Sequence, residues 1–339
     1  QGYSSAASDV YKRQLLSVQA IESIRNFGLI GVYVLEPAEP LPPMTQEDLE
    51  FERFQIKAVS AIEEELDRIL KTRKQSRIQT IADMVIRNYG HLDEKINFYQ
   101  NLRSLEDYVS RHSLNVAILC AMITHVMNIR REEQYHTVCA ALLHDMGKLK
   151  KHEDVYFGAP YSREDAIRNC ETQEEAYSVI EDAFATEGPA IRRICQQAAG
   201  KQLDLFPEEG KESRYKMLEG SNVLLVANRY DEITAMTLQG TAQSEVKAAQ
   251  ELLEHPEVYD PETVQALLRS INILPPGASV ELSTGEKALV LSENEENVLC
   301  PTVVSFRDNS ILNLALPQNE DIQIVDVMKT MDNRYILKK

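Results

Sequence analysis

The stretch CAALLHDMGKLKK, residues 139–151, opens as an apolar helix and closes in lysines, with His144 and Asp145 side by side at the junction. Working back from it, Val138, Ala141 and Leu142 form a stripe whose next members are His144 and Asp145. A helix predicted from Glu132 to about Leu143 therefore carries an imidazole and a carboxylate to its inner end, and Gly147 offers the stop. Further upstream, a helix predicted from Ser110 to Met127 sets His112, Val116, Leu119, Cys120, Ile123 and Met127 on one stripe at three- and four-residue steps, so His112 faces the same core. Two helices that turn polar side chains inward from greasy faces decide the class: mostly α, a helical bundle.

Outward from this centre the helical pattern continues. Thr45 to about Arg73 reads as a long helix, with Thr45 and Asp48 as a capping box and Phe54, Ala58, Ile62, Leu66 and Leu70 recurring every four residues. Ile78 to Asn88 follows. Beyond the centre, residues 152–213 turn acidic, with helices predicted at 162–170, 172–185 and 188–199 and a loop at 200–213. Ser221 to Met236, QSEVKAAQELLEH (243–255) and DPETVQALLRSI (260–271) read as three more helices, the last capped by Asp260 with Pro261 in its first turn. After LPPG at 274–277 the period changes to two: ASVELSTGEKALVLSE around a four-residue turn, then VLCPTVVSF and IQIVDVM, a small antiparallel β segment.

The N-terminal side differs. Residues 1–14 include DVYKRQ, which resembles the translation of a sequencing adapter, and are set aside as an assembly scar. That places the natural N-terminus upstream. Residues 15–44 read as a short helix, a turn at Phe27 and Gly28 and the strand GVYVLE, stopped by prolines 37, 40, 42 and 43: a truncated α/β fragment with a Pro-rich linker. The expected organisation is 1–14, 15–44, a helical domain at 45–273 and a β-rich segment at 274–339.

Composition bounds the function. The chain has 339 residues, no tryptophan and 6% aromatics, which points to a core of Leu, Ile, Val and Ala. Against 36 Lys and Arg stand 53 Asp and Glu, and a net charge of −17 repels polyanions, so duplex nucleic acid is excluded as a partner. Five widely spaced cysteines without a CxxC pair read as free thiols of a reducing cytoplasm. No run of about 18 apolar residues occurs, so no membrane span is expected in this fragment.

Neutral imidazole and carboxylate are the ligand types of Fe, Mn, Zn and similar divalent ions, which can lower the pKa of a bound water toward neutrality and polarise a phosphoryl group. His112, His144 and Asp145 are candidate ligands on that basis, and Lys148 could pair with a phosphate oxygen. A second reading has equal standing from the residues alone: Asp145 accepts a hydrogen bond from one of the histidines and no metal is present. The histidines at 91, 125, 136, 152 and 255 lie in polar pattern and read as surface.

DYVSRHSLNVAILCAMI (107–123) followed by AALLHDMGKL (140–149) resembles the signatures of the HD superfamily of metal-dependent phosphohydrolases, specifically its HD-GYP branch of cyclic di-GMP phosphodiesterases. VANRYDEITA (226–235) is similar to that branch's late helix, written VADxxDALT, and the likeness runs over about residues 104–315. The resemblance implies an HD-type helical bundle, metal ligation by His112, His144 and Asp145, and catalytic roles for Asp145 and Lys148. Arg111 falls where relatives often hold a basic residue.

The departures are as informative. No histidine occurs between 165 and 195, where the branch has one. IRRICQQAAGKQLDLFP (191–207) has Gln and Ala in place of paired histidines and lacks the GYP loop. The late aspartate is Asn228, a neutral and weaker ligand. Asp231, three residues on, shares its helical face and is a candidate substitute. The expectation is at most one divalent transition metal, or none if the site is closed. The chain then reads as a member of cyclic-dinucleotide signalling, with impaired or lost catalysis, that binds a cyclic dinucleotide or other small phosphoester, with a second copy or a signalling protein as partner. The alternatives are an active single-metal HD phosphohydrolase and a scaffold whose acidic 152–213 region docks another protein.

Overall fold

The structure, a computed structural model, describes residues 46–98, 100, 103–150, 162–206, 216–237 and 242–328. The expectations for 1–14, for the α/β fragment at 15–44, for the Thr45 cap, for His152 and for residues 207–213 of the 200–213 loop lie outside these residues, while 200–205 are helical rather than loop. The chain divides into two compact units, Gln1–Ile56 with Lys329–Lys339, and Lys57–Met328. The second holds the site.

Helix α1 (Gln46–Thr72) buries Ala58, Ile62, Leu66 and Ile69. The expected four-residue stripe ends on Ile69 rather than Leu70, because 3.6 residues per turn gradually rotates an every-fourth pattern off its face. Helix α2 (Ile78–Tyr89) is amphipathic, buries Ile78, Ile81, Ala82 and Val85, and stops at Gly90. Helix α3 (Tyr108–Val126) is the central element: every residue from Tyr108 to Thr124 is buried, polar ones included. A helix apolar on nearly all sides must be enclosed all round, and α3 packs against α2, against α4 (Arg131–Leu143) and against two later helices, Glu219–Thr234 and Pro261–Ser270.

A single-turn 3₁₀ segment, Met146–Lys150, follows α4. The two helices expected at 162–170 and 172–185 are one, α5 (Arg163–Phe184), since no Gly or Pro interrupts that stretch; Ser162 and Asp165 form a capping box at its start. Ala185, at φ +47, turns the chain into α6 (Gly188–Gln202), three residues longer than expected. Helices α7 (Glu219–Thr234), α8 (Glu245–Glu254) and α9 (Pro261–Ser270) complete the bundle, with Asp260 capping α9 as its sequence indicates.

Close approach of α4 and α7 depends on Gly220, where a Cβ would stand 2.3 Å from Thr137 Oγ1. A second approach depends on Gly147, where a Cβ would stand 2.6 Å from the Thr172 carbonyl on α5. These contacts hold the junction after His144 against its neighbours. The irregular segment before α3 is strapped down by isolated parallel bridges, Ile96 to Ile271 and Arg103 to Thr237, the latter with Arg103 N donating to the Met236 carbonyl at 2.8 Å.

The C-terminal segment is a five-stranded antiparallel sheet in the order β4-β3-β2-β1-β5, from β1 (Ser279–Leu282), β2 (Lys287–Ser292), β3 (Thr302–Ser305), β4 (Ile311–Asn313) and β5 (Ile324–Val327). Gly285, at φ +77, closes the turn between β1 and β2. The short β4 carries no alternation long enough to be read from sequence. Val280, Leu282, Ala288, Val290, Val303 and Ile324 are buried, and Gln250 of α8 donates to the Ile324 carbonyl at 2.9 Å. The architecture is mostly helical with a small antiparallel sheet, as expected. None of the described helices is long and apolar enough to cross a membrane.

Candidate metal centre

His112, in the second turn of α3, and His144 and Asp145, at the end of α4, converge as the stripes require, and their ligand atoms lie within 4.8 Å of one another. The Nε2 atoms of the two imidazoles face each other at 3.1 Å. Asn228 Oδ1, from α7, stands 2.9 Å from each, and Asp145 Oδ2 is 3.4 Å from His112 Nε2.

The protons on these rings follow from their other neighbours. His112 Nδ1 is 2.6 Å from Asp231 Oδ2. Arg103, beside Asp231, and His112 overcome the burial that alone would raise its pKa, and hold the carboxyl far below the usual aspartate range. An ionised carboxylate only accepts, so Nδ1 carries the proton. His144 Nδ1 donates to the Ala141 carbonyl at 2.7 Å, and burial pushes the His144 imidazole below its ordinary pKa, toward the neutral form. A neutral ring that donates from Nδ1 carries its lone pair at Nε2, the atom that each histidine turns toward the other.

Asn228 has its amide turned by Glu232, whose Oε1 accepts from Nδ2 at 3.1 Å, leaving Oδ1 toward the histidines. Burial raises the Asp145 carboxyl, but Lys148, whose ammonium donates to Oδ2 at 2.7 Å, together with the two histidines, holds it well below the ordinary value. Two nitrogens and two oxygens of ligand type thus converge from three helices and the turn after α4.

Such a set fits a divalent ion. Two ligands about 2.1 Å from an ion, roughly 90–109° apart, stand about 3.0–3.4 Å from each other; the observed 2.9, 3.1 and 3.4 Å separations lie in or close to that range, and the 3.7 Å between His144 Nε2 and Asp145 Oδ1 is slightly wider. Nitrogen with few charged oxygens favours the transition metals over Mg or Ca. His112, His144, Asp145 and Asn228 are the residues that would hold the ion.

Behind the ligands lies a buried shell. Asp231 does point inward, but to the back of His112 rather than into the cage, so the expectation of a substitute ligand is corrected: it is the carboxylate partner that fixes a ligating histidine. Arg103 donates to it twice, at 2.7 and 2.8 Å, Gln100 at 2.8 Å and Asn115 at 3.0 Å. Tyr108 stacks on His112 with centroids 5.5 Å apart. Arg103 and Gln100 escape sequence reasoning because the strap before α3 has no periodicity, whereas Asn115, on α3 itself, left its i, i+3 spacing from His112 as a signal. Glu232 left a usable signal, an i, i+4 spacing from Asn228.

His144, Asp145, Lys148 and Asn228 line one pocket, closed on its far walls by α5 and α6. His112 is fully buried behind them. Lys148 is only 3% exposed and bound to Asp145, not reaching outward as a lone phosphate clamp. Arg111 is paired with Asp107. The other walls of the pocket present Gln173, which donates to Asp145 Oδ1 at 3.3 Å, Tyr177, Cys195, Ala198 and Ala199. Burial pushes the Cys195 thiol up, away from the thiolate a metal requires. Of the histidines read as surface, His91 is exposed and His125, His136 and His255 are half-buried. All five cysteines are free, three of them buried.

Comparison with known proteins agrees with this geometry. Residues 109–236 match the family of the HD domain. The match starts in the first turn of α3, ends just past α7 and contains every candidate ligand. No curated protein and no solved structure matches the chain.

Proposed function

Since residues 109–236 carry an HD domain, the mark of a superfamily of metal-dependent phosphohydrolases, we propose that this protein holds a single divalent transition metal and binds a small phosphoester there, of the cyclic-dinucleotide class that its HD-GYP resemblance suggests, with two-metal phosphodiester cleavage lost. One observation carries the reading: His112 Nε2, His144 Nε2, Asp145 and Asn228 Oδ1 converge as one set of ligand-type atoms, whereas the adjoining wall offers Gln173, Tyr177, Cys195, Ala198 and Ala199. Neutral amides, alanines and a protonated thiol supply no charge to offset an ion's desolvation.

When bound, a divalent ion supplies Lewis acidity toward a phosphoryl oxygen. The chain's own residues do the rest. Lys148 donates to Asp145 and lines the pocket beside it, so it adds positive charge next to a bound anion. Asp231 and Arg103 keep the His112 ring from turning.

The pocket also favours a second reading, one-metal hydrolysis of a simpler phosphoester, because Asp145, Asn228 and Lys148 are on its lining rather than sealed from it. Metal content, cyclic di-GMP binding and cyclic di-GMP turnover, measured on one preparation reconstituted with Mn or Fe, separate the readings. One ion per chain with binding and no turnover is expected. Two ions per chain with turnover would overturn the proposal, and one ion with hydrolysis of a generic phosphodiester would favour the alternative.

A further inference from the structure

The Asn228 amide poses a problem that its ligand neighbours do not solve. Its two ends are similar in size, and an imidazole whose Nε2 carries a lone pair, as a metal ligand must, would attract the NH₂ end. Yet the oxygen faces the two imidazoles, 2.9 Å from each. Glu232, one helical turn on, resolves this. Its Oε1 stands 3.1 Å from Asn228 Nδ2. A flipped amide would set oxygen against carboxylate oxygen at that distance.

Glu232 is itself fixed in place. It is buried, its Oε2 accepts from Gln202 Nε2 at 3.0 Å and from Arg229 at 3.4 Å, and Arg229 is anchored by Glu251 at 2.7 Å. Swinging the carboxylate away would break its contacts with Gln202 and Arg229.

We propose that Glu232 is a positioning residue that makes Asn228 an oxygen ligand: it holds the amide nitrogen outward, so that a neutral side chain completes a cage that would otherwise be capped by an N–H. Glu232 acts through Asn228, whose amide stands between it and the histidines. The inference rests on the one-metal reading above.

An aspartate at 228 has oxygen at both ends and needs no orienting partner, so the effect of Glu232 must depend on what occupies 228. The test is a cycle on the full chain: wild type, Glu232→Ala, Asn228→Asp and the double variant, each titrated with Co(II) and Zn(II) against a competing chelator, with the Co(II) visible spectrum recorded. Glu232→Ala is expected to weaken binding about ten- to hundredfold and to alter the Co(II) spectrum. In the Asn228→Asp background the same change is expected to cost less than threefold, and to strengthen binding if the two carboxylates repel. Glu232→Gln, which keeps an acceptor, is expected to fall between wild type and Glu232→Ala.

An equal loss in both backgrounds would make Glu232 merely structural and overturn the inference, as would no loss in either. A wild-type chain that binds neither ion would instead sink the one-metal reading. If Glu232→Ala melts below the assay temperature, Glu232→Gln replaces it in the same cycle, read the same way.

Discussion

Replacing Asp231 by Asn tests the shell behind His112 most directly. Asp231 is fully buried and receives Arg103 twice, Gln100, Asn115 and His112 on its two oxygens. Asparagine has nearly the same shape, but it removes the charge and puts an NH₂ where donors converge. Arg103, 1% exposed, would be left as an uncompensated buried cation. Breaking such a pair costs about 3–5 kcal/mol, which at about 2–3 °C per kcal/mol for a chain of this size lowers Tm by about 6–15 °C. Loss of the carboxylate also frees the His112 ring, and metal affinity is expected to fall about ten- to hundredfold. Melting followed by circular dichroism in chelator reads the first effect, and a metal titration well below both melting points reads the second. Arg103→Met with Asp231→Asn removes both charges together and is expected to recover part of the lost stability, since replacing a whole buried pair by apolar groups is often near neutral. A single variant melting within 2 °C of wild type, or a double variant as damaged as the two single changes added, would refute the reasoning.

Three further outcomes follow from the same geometry. In chelator, stability should fall as the pH drops through the ordinary imidazole value of 6.5, because the buried His144 is held below it and only the unfolded chain takes the proton, and fall again below 3.8, where the depressed Asp145 and Asp231 lose the stabilisation they give above that pH. Each such group contributes up to about 1.4 kcal/mol per pH unit, and a Tm that rises from pH 7 to pH 5 would contradict this. Gly220→Ala should destabilise by about 1–3 kcal/mol through its clash with Thr137, and Thr137→Ala should relieve it; urea melts in which the double variant is no more stable than Gly220→Ala would count against a close α4–α7 contact as the cause. Lys148→Met leaves Asp145 buried without its cation, so the metal-free protein should melt several degrees lower and gain more from added Zn(II) than wild type does; an unchanged gain would remove Lys148 from the electrostatics of the site.

The helices that build the site were legible because they are periodic. Val138, Ala141 and Leu142 point the way to His144 and Asp145, and the stripe on α3 points the way to His112. Where period is lacking the reading fails: α5 was broken in two by expectation although nothing in its sequence breaks it, β4 was missed, and Arg103 sits in a strap held by tertiary bridges. Asp231 shows the limit within a helix. Its spacing from Asn228 identifies a shared face, but a turn of helix separates a metal ligand from the group that stands behind one.

Local sequence alone thus determined the helical class, the inward direction of three ligand-type side chains and the poverty of histidine in the adjoining walls, since these depend only on period and residue type. Tertiary structure decided the rest: which nitrogen of each imidazole carries a proton, which end of the Asn228 amide faces inward, and that Asp231 and Lys148 are spoken for by His112, Arg103 and Asp145. Those outcomes are set by hydrogen-bond partners brought from α3, α4, α7 and the strap to within about 3 Å of one another, and no spacing along one element can encode a neighbour that arrives from another.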